Sequence, residues 1–155
     1  MDKIVSVAGF MLTKAIDNLD RNNTLTPMYV GYKEGCQEIK KRINDLSLEQ
    51  SIPKVVSMYE ENFEDVEYAA IMFPAELEED NRRFSAIIVM AQSYFTNDYI
   101  IISLPYNIKD GKLEISEFQL EDYSPFLLER LPELEKSFID GLLSYGDAKE
   151  IWKKE

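Results

Sequence analysis

Carboxylates are the side chains in this sequence best placed to do chemistry. Glu60, Glu61 and Glu64 spell E-E-x-x-E in a stretch that reads as helix. Helical residues three and four apart share a face, which would bring Glu61 and Glu64, or Glu60 and Glu64, together. Such a pair can hold Mg²⁺, and the bound ion can activate water for pyrophosphate hydrolysis. The rest of the catalytic repertoire is thin. The chain has no histidine. That removes imidazole acid–base catalysis, histidine-activated nucleophiles and most zinc, copper and non-haem iron sites. Cys36, the single cysteine, lacks an imidazole partner, and its spacing reads as packing. There is no G-x-G-x-x-G run, no phosphate-binding P-loop and no D-x-D-x-D-G calcium loop.

The E-E-x-x-E run resembles half of the motif of the all-helical nucleotide pyrophosphohydrolases. The other half, E-x-x-D on a second helix, is missing, and the strand-rich middle of the chain contradicts that fold. The resemblance implies an alternative reading only: a Mg-dependent or small-molecule pocket built from tyrosine and carboxylate side chains, with Glu60, Glu61 and Glu64 as metal ligands. A solvated acidic helix end accounts for the same residues.

Binding chemistry is better supplied. Nine tyrosines and eight phenylalanines offer large contact areas, and tyrosine adds a polar end suited to interfaces. Tyr94, Tyr99 and Tyr106 surround the central hairpin, and the acidic run Glu76, Glu78, Glu79 and Asp80 lies just ahead of it. The net charge is −12, with more than half of the excess in residues 66–122. That sign opposes a phosphate backbone and an anionic membrane surface. It would steer a basic protein towards the chain. Solubility and ordinary packing explain the same features without a partner.

A chain of 155 residues reads most simply as one domain, 1–155. No apolar run approaches the ~20 residues that cross a bilayer. A lone cysteine and an N-terminus without signal-peptide character point to the cytoplasm.

The positioning elements follow from periodicity. Ile4, Val7, Ala8, Met11, Leu12, Ala15, Ile16 and Leu19 predict a helix over 3–20. Thr26-Pro27 has the form of a helix start, and a stripe through Met28, Tyr32, Cys36, Ile39, Ile43 and Leu46 predicts a second helix to about Leu46. Gly31 and Gly35 weaken that helix. Ser47-Leu48-Glu49-Gln50 has the form of a capping box and Ser51-Ile52-Pro53 offers a second start, and a third helix is expected from about Ile52 to Asn62. Val66–Phe73, Arg82–Phe95, Tyr99–Tyr106 and Lys112–Phe118 predict four strands. The acidic residues from Ala75 to Asn81 connect the first two, and Asp110-Gly111 marks a tight turn before the last. The strand over Arg82–Phe95 is apolar on both sides, which asks for cover on both: helices on one, and on the other something else, such as a second protomer. Ser124-Pro125 and a stripe through Leu131, Leu134, Phe138, Leu142 and Tyr145 predict one or two terminal helices.

The resulting expectation is an α+β fold: a four-stranded antiparallel β-sheet preceded by about three helices and followed by one or two C-terminal helices packed on the sheet. The expected function is that of a non-enzymatic, acidic protein-binding module of inhibitor, immunity or chaperone type, without a cofactor. Its partner would be a basic protein, contacted through Glu76, Glu78, Glu79, Asp80, Tyr94, Tyr99 and Tyr106, with a homodimer as a further possibility and no nucleic acid or membrane involved.

Overall fold

A computed structural model describes residues 2–22, 24–33, 37–42, 47–116 and 119–125, together with Pro132 and Lys136. The helix α1, Asp2–Asn22, follows the predicted stripe. Its eight apolar positions from Ile4 to Leu19 are each at most 4% exposed. Arg21 in the last turn pairs with Asp17 one turn earlier, Nε to Oδ1 at 2.6 Å, a basic group at the end that the helix dipole makes negative.

The second predicted helix is instead a β-hairpin. Strand β1, Met28–Lys33, and strand β2, Gln37–Arg42, pair antiparallel from Met28↔Arg42 to Lys33↔Gln37. Thr26, the expected helix cap, has its N–H bound by the Asn18 side chain of α1 at 2.9 Å. Apolar residues here alternate with period two: Met28 and Val30 pack towards α1, while Tyr29 packs in a second cluster on the other face. Met28, Tyr32 and Ile39 satisfy a helical spacing as well, so the stripe alone did not discriminate. Gly31 is a poor helix residue, and its missing side chain is used here for a close approach. Cys36, Ile43 and Leu46 of that stripe lie outside the described residues.

Helix α2, Leu48–Glu60, is the third predicted helix, but it starts at the earlier of the two candidate starts, with Ser47 as its N-cap, and not near Ile52. The Ser47 carbonyl accepts the Gln50 and Ser51 N–H groups, but its hydroxyl makes no capping bond. The helix stops at Glu60. Asn62 then takes a positive φ of 49°, and its side chain clasps Val66 by accepting the N–H at 2.8 Å and donating to the carbonyl at 3.1 Å.

The rest is sheet. Strands β3 (Tyr68–Glu79), β4 (Arg82–Ser93), β5 (Tyr99–Lys109), β6 (Lys112–Ile115) and β7 (Gln119–Tyr123) complete one curled antiparallel sheet of seven strands. The order is β2-β1-β3-β4-β5-β6, and β7 also pairs with β5. β6 lies along Tyr106–Lys109 and β7 along Ile100–Ser103. Together they act as one edge strand interrupted near Ser116, with a register shift at Ile101/Ile102. Two turns of opposite composition have the same form: Asp80-Asn81 and Asp110-Gly111 both place two successive residues at positive φ, as a two-residue type I′ hairpin requires.

The expected α+β layout, a four-stranded sheet with several helices around it, is therefore corrected to a mostly β fold with two helices among the described residues. Two more strands come from the region read as helix, and β7 from the segment read as a lead into the terminal helices. Those terminal helices lie outside the described residues. The main core is sandwiched between α1 and the sheet face carrying Ala70, Met72, Ile87, Val89, Ile100 and Ile102. A smaller cluster lies between α2 and Tyr29, Ala69 and Ile71 on the opposite face. Among the described residues no helix is long and apolar enough to cross a membrane.

Candidate binding surface

The acidic run is part of a strand and its turn, not a connection. β3 continues through Glu79, and its register places Glu76 opposite Ser85, Leu77 opposite Phe84, Glu78 opposite Arg83 and Glu79 opposite Arg82. Cross-strand pairing with two arginines makes this end of the hairpin favourable although little of it is buried. Because successive strand residues alternate between faces, Glu76 and Glu78 share the α1 side with Ser85, and Leu77 and Glu79 share the other with Phe84. Glu76, Glu78, Glu79 and Asp80 are all exposed. Arg83 reaches diagonally to Glu76 at 3.5 Å, and both side chains are more than half exposed, so the pair contributes little to stability.

Tyr106 joins this end from β5. It stands opposite Ser85 in the register and shares a side-chain hydrogen bond with it. Burial raises its pKa, the bond to Ser85 opposes the rise, and the Glu76 charge adds to it. Glu76, Arg83, Phe84, Ser85, Tyr106 and Asn107 line a groove of about 300 Å³. On the other side of the hairpin, Phe84 and Arg83 reappear in a larger groove of about 690 Å³ with Glu79, Arg82, Pro105 and Gln119. A third groove of about 300 Å³ adds Leu77, Glu78 and Glu121 beside Phe84. Glu121 is held in place by accepting the hydrogen bond of the buried Ser103 hydroxyl. Phe84 touches all three grooves and is half-buried. The arrangement is an apolar centre with a rim of both charge signs, acidic in excess, open to solvent.

Two of the predicted tyrosines are elsewhere. Tyr94 lies past the far end of β4, where its hydroxyl donates to the Tyr59 carbonyl and its ring packs 6.3 Å from that of Tyr59. Its pKa is raised by burial first and then by Tyr29. Tyr94 pins α2 to the sheet. Tyr99 starts β5 at that same far end, and its hydroxyl is bonded to Asp122, which raises its pKa. The structure thus brings Glu76, Glu78, Glu79, Asp80 and Tyr106 together and leaves Tyr94 and Tyr99 apart. Leu77, Arg82, Arg83, Phe84 and Gln119 went unnoticed in the sequence. The period-two pattern Glu76-Leu77-Glu78 followed by Arg82-Arg83-Phe84 carried the signal.

Of the alternative metal ligands, Glu60 ends α2, Glu61 caps it, and Glu64 lies in the following turn. The helical spacing that would align them is absent. Glu64 instead pairs with Lys41 of β2 at 2.6 Å, and that ammonium also stands 4.7 Å from the centre of the Phe63 ring. Among the described residues, no group of three or more carboxylates or thiols is arranged to hold a metal ion. Comparison with known proteins gives no match: no family model fits the chain, and no curated protein or solved structure is significantly similar to it.

Proposed function

We propose that this chain is a non-enzymatic protein-binding module that takes a basic partner on the β3–β4 hairpin. The observation that carries the reading is the exposed set Glu76, Glu78, Glu79 and Asp80 around the half-buried Phe84, on a two-stranded ribbon whose ladder holds them rigidly. A protein contact suits this geometry better than a small ligand, because the grooves are open surface joined through one aromatic centre. An interface needs such an apolar anchor within a polar rim. The chain's excess of carboxylates would add long-range attraction for a cationic partner. A lone cysteine suits a reducing compartment, so we place the interaction in the cytoplasm.

The test is affinity capture from host lysate at low and then moderate salt, followed by binding kinetics with the captured partner. Reversing Glu78, Glu79 and Asp80 to lysine should slow association by about tenfold or more at low salt and flatten its salt dependence. An unchanged on-rate at low salt would remove the hairpin from the interface. A partner whose binding strengthens as salt is added would contradict the electrostatic reading altogether.

A further inference from the structure

Two hairpins leave the middle of the sheet at the same end and part from each other. β3 and β4 stay paired up to the Asp80-Asn81 turn, through Glu79↔Arg82. β5 and β6 stay paired up to the Asp110-Gly111 turn, through Lys109↔Lys112. The ladder between β4 and β5 stops short of both turns, at Ser85↔Tyr106. Continued by two steps, it would set Arg83 against Ile108. Residues 82–84 of β4 and 107–109 of β5 therefore run on with a neighbour on one side only among the described residues. In a two-residue hairpin the residues flanking the turn exchange both backbone hydrogen bonds, and the direction of the bonds then alternates along each strand. Arg82 and Phe84 thus turn their N–H and C=O groups to β3, and Asn107 and Lys109 turn theirs to β6. Arg83 and Ile108 turn theirs into the fork between the hairpins.

The groove of about 300 Å³ lies at this fork. It is lined by Arg83, Phe84 and Ser85 in succession, and by Tyr106 and Asn107 opposite them. Successive strand residues point to opposite faces, so a groove on one face would be lined by alternate residues, and one lined by consecutive residues runs between the strands. Strand edges without a neighbour are templates for another strand. Extended peptides bind in this way: main-chain bonds supply affinity, and sites for alternate side chains supply selectivity. Here the exposed Glu76 lines the groove from the α1 side, and the half-buried Phe84 lines it from the other. We propose that the fork between the β3–β4 and β5–β6 hairpins takes an extended segment of a partner protein as an added strand. Basic side chains of that segment face Glu76 and alternate with apolar ones that pack on Phe84. This rests on the hairpin reading of function and adds the conformation of the partner's contacting segment.

The test titrates the full chain at low salt with a peptide of alternating lysine and valine, about six residues long, the usual length of a strand. A copy N-methylated at every backbone nitrogen keeps the charge and the side chains but lacks the donors of a strand. Residue-resolved amide exchange reads the outcome. The unmodified peptide should slow exchange at Arg83 and Ile108 by about tenfold or more, and the methylated copy should bind about tenfold more weakly or worse. Equal binding of the two peptides would show attraction by charge alone; it would overturn the added strand and leave the hairpin reading standing. Binding of neither would also overturn the added strand, and the lysine reversals with the captured partner would still decide the hairpin reading separately. Protection of the Arg83 and Ile108 amides before any peptide is added would mean that the fork is already filled. Protection that grows with protein concentration would assign it to a second copy, and protection independent of concentration to the chain itself; either would overturn the proposal.

Discussion

Substituting Gly31 tests the packing beneath α2 more sharply than any large-to-small change would. A Cβ at this position would lie 2.9 Å from the Tyr29 hydroxyl oxygen, 2.9 Å from Val66 Cγ1 and 3.2 Å from Tyr29 Cε1. None of these atoms can retreat easily. Gly31 is locked between Ile39 of β2 and Ala69 of β3, the Asn62 side chain holds Val66 at both backbone groups, and Tyr29 is fully buried. An alanine in a strand gains about 0.5–1 kcal/mol over glycine through backbone entropy, but overpacking on two sides costs about 1–3 kcal/mol. Gly31→Ala should therefore destabilise by about 1–2 kcal/mol, and the urea midpoint should fall by about 0.5–1 M at an unchanged slope. The Tyr29 hydroxyl has no hydrogen-bond partner among the described residues. Tyr29→Phe then removes an unsatisfied buried group and should be neutral or stabilising by about 1 kcal/mol. It also removes one of the two closest contacts, which makes the pair non-additive: Gly31→Ala should cost about 1 kcal/mol less in the Tyr29→Phe background. A Gly31→Ala protein more stable than the parent would refute the reasoning. Equal costs in the two backgrounds would show that Val66 alone sets the limit.

The same cluster predicts an alkaline transition. Burial, reinforced by the Glu64 charge, pushes the Tyr29 phenol up to about 12, and burial raises the Tyr59 and Tyr94 phenols as well. The unfolded chain releases the Tyr29 proton near pH 10, so its contribution is complete below about pH 10 and is lost as pH rises through about 12. For Tyr29 that loss is about 3 kcal/mol. Unfolding free energies measured across that range should fall, and the fall should shrink in Tyr29→Phe; a flat profile would contradict the buried phenols. Asn62→Ala removes both bonds to Val66 and places alanine at a φ of 49°. It should cost about 1–3 kcal/mol in denaturant unfolding. Asn62→Gly, which tolerates the backbone but lacks the bonds, should fall between alanine and the parent, and an equal loss in both would dismiss the backbone contribution.

Where one periodicity had no rival, the fold was legible. α1 could be read because eight apolar residues from Ile4 to Leu19 repeat through about four turns with polar residues between them, a pattern that no strand can bury. Tyr99–Leu104 could be read because β-branched residues fill it and tight-turn residues bound it. Met28 to Arg42 was misread because Met28, Tyr32 and Ile39 fit a helix as well as a strand. The fact that decides between them is not local. β1 is held between β2 and β3, so its conformation is chosen in part by β3, a partner far along the chain, and Val66 just ahead of that strand packs where Gly31 is bare. β7 was missed for a related reason. Gln119-Leu120-Glu121-Asp122-Tyr123 has little strand propensity, and its pairing with β5 is supported instead by the Ser103–Glu121 and Ser124–Tyr99 bonds.

The acidic run shows what such a misreading does to a functional argument. As a connection, Glu76, Glu78, Glu79 and Asp80 would form one mobile patch of a single sign. As strand and turn they are divided: Glu76 and Glu78 lie on the side of Ser85 and Tyr106, Glu79 lies on the side of Phe84, and Asp80 sits at the tip. The ladder with Arg82 and Arg83 then fixes the distances between carboxylates and neutralises part of their field. A cationic partner of the kind proposed would therefore meet spaced charges of both signs around an aromatic centre. Register, and not charge density alone, would decide which basic surfaces fit. The ribbon can be gripped from either side, and the grooves on both sides share Phe84. For that reason the aromatic ring, which drew no attention in the sequence, is the natural centre of the surface, and the carboxylates that did draw attention are its rim.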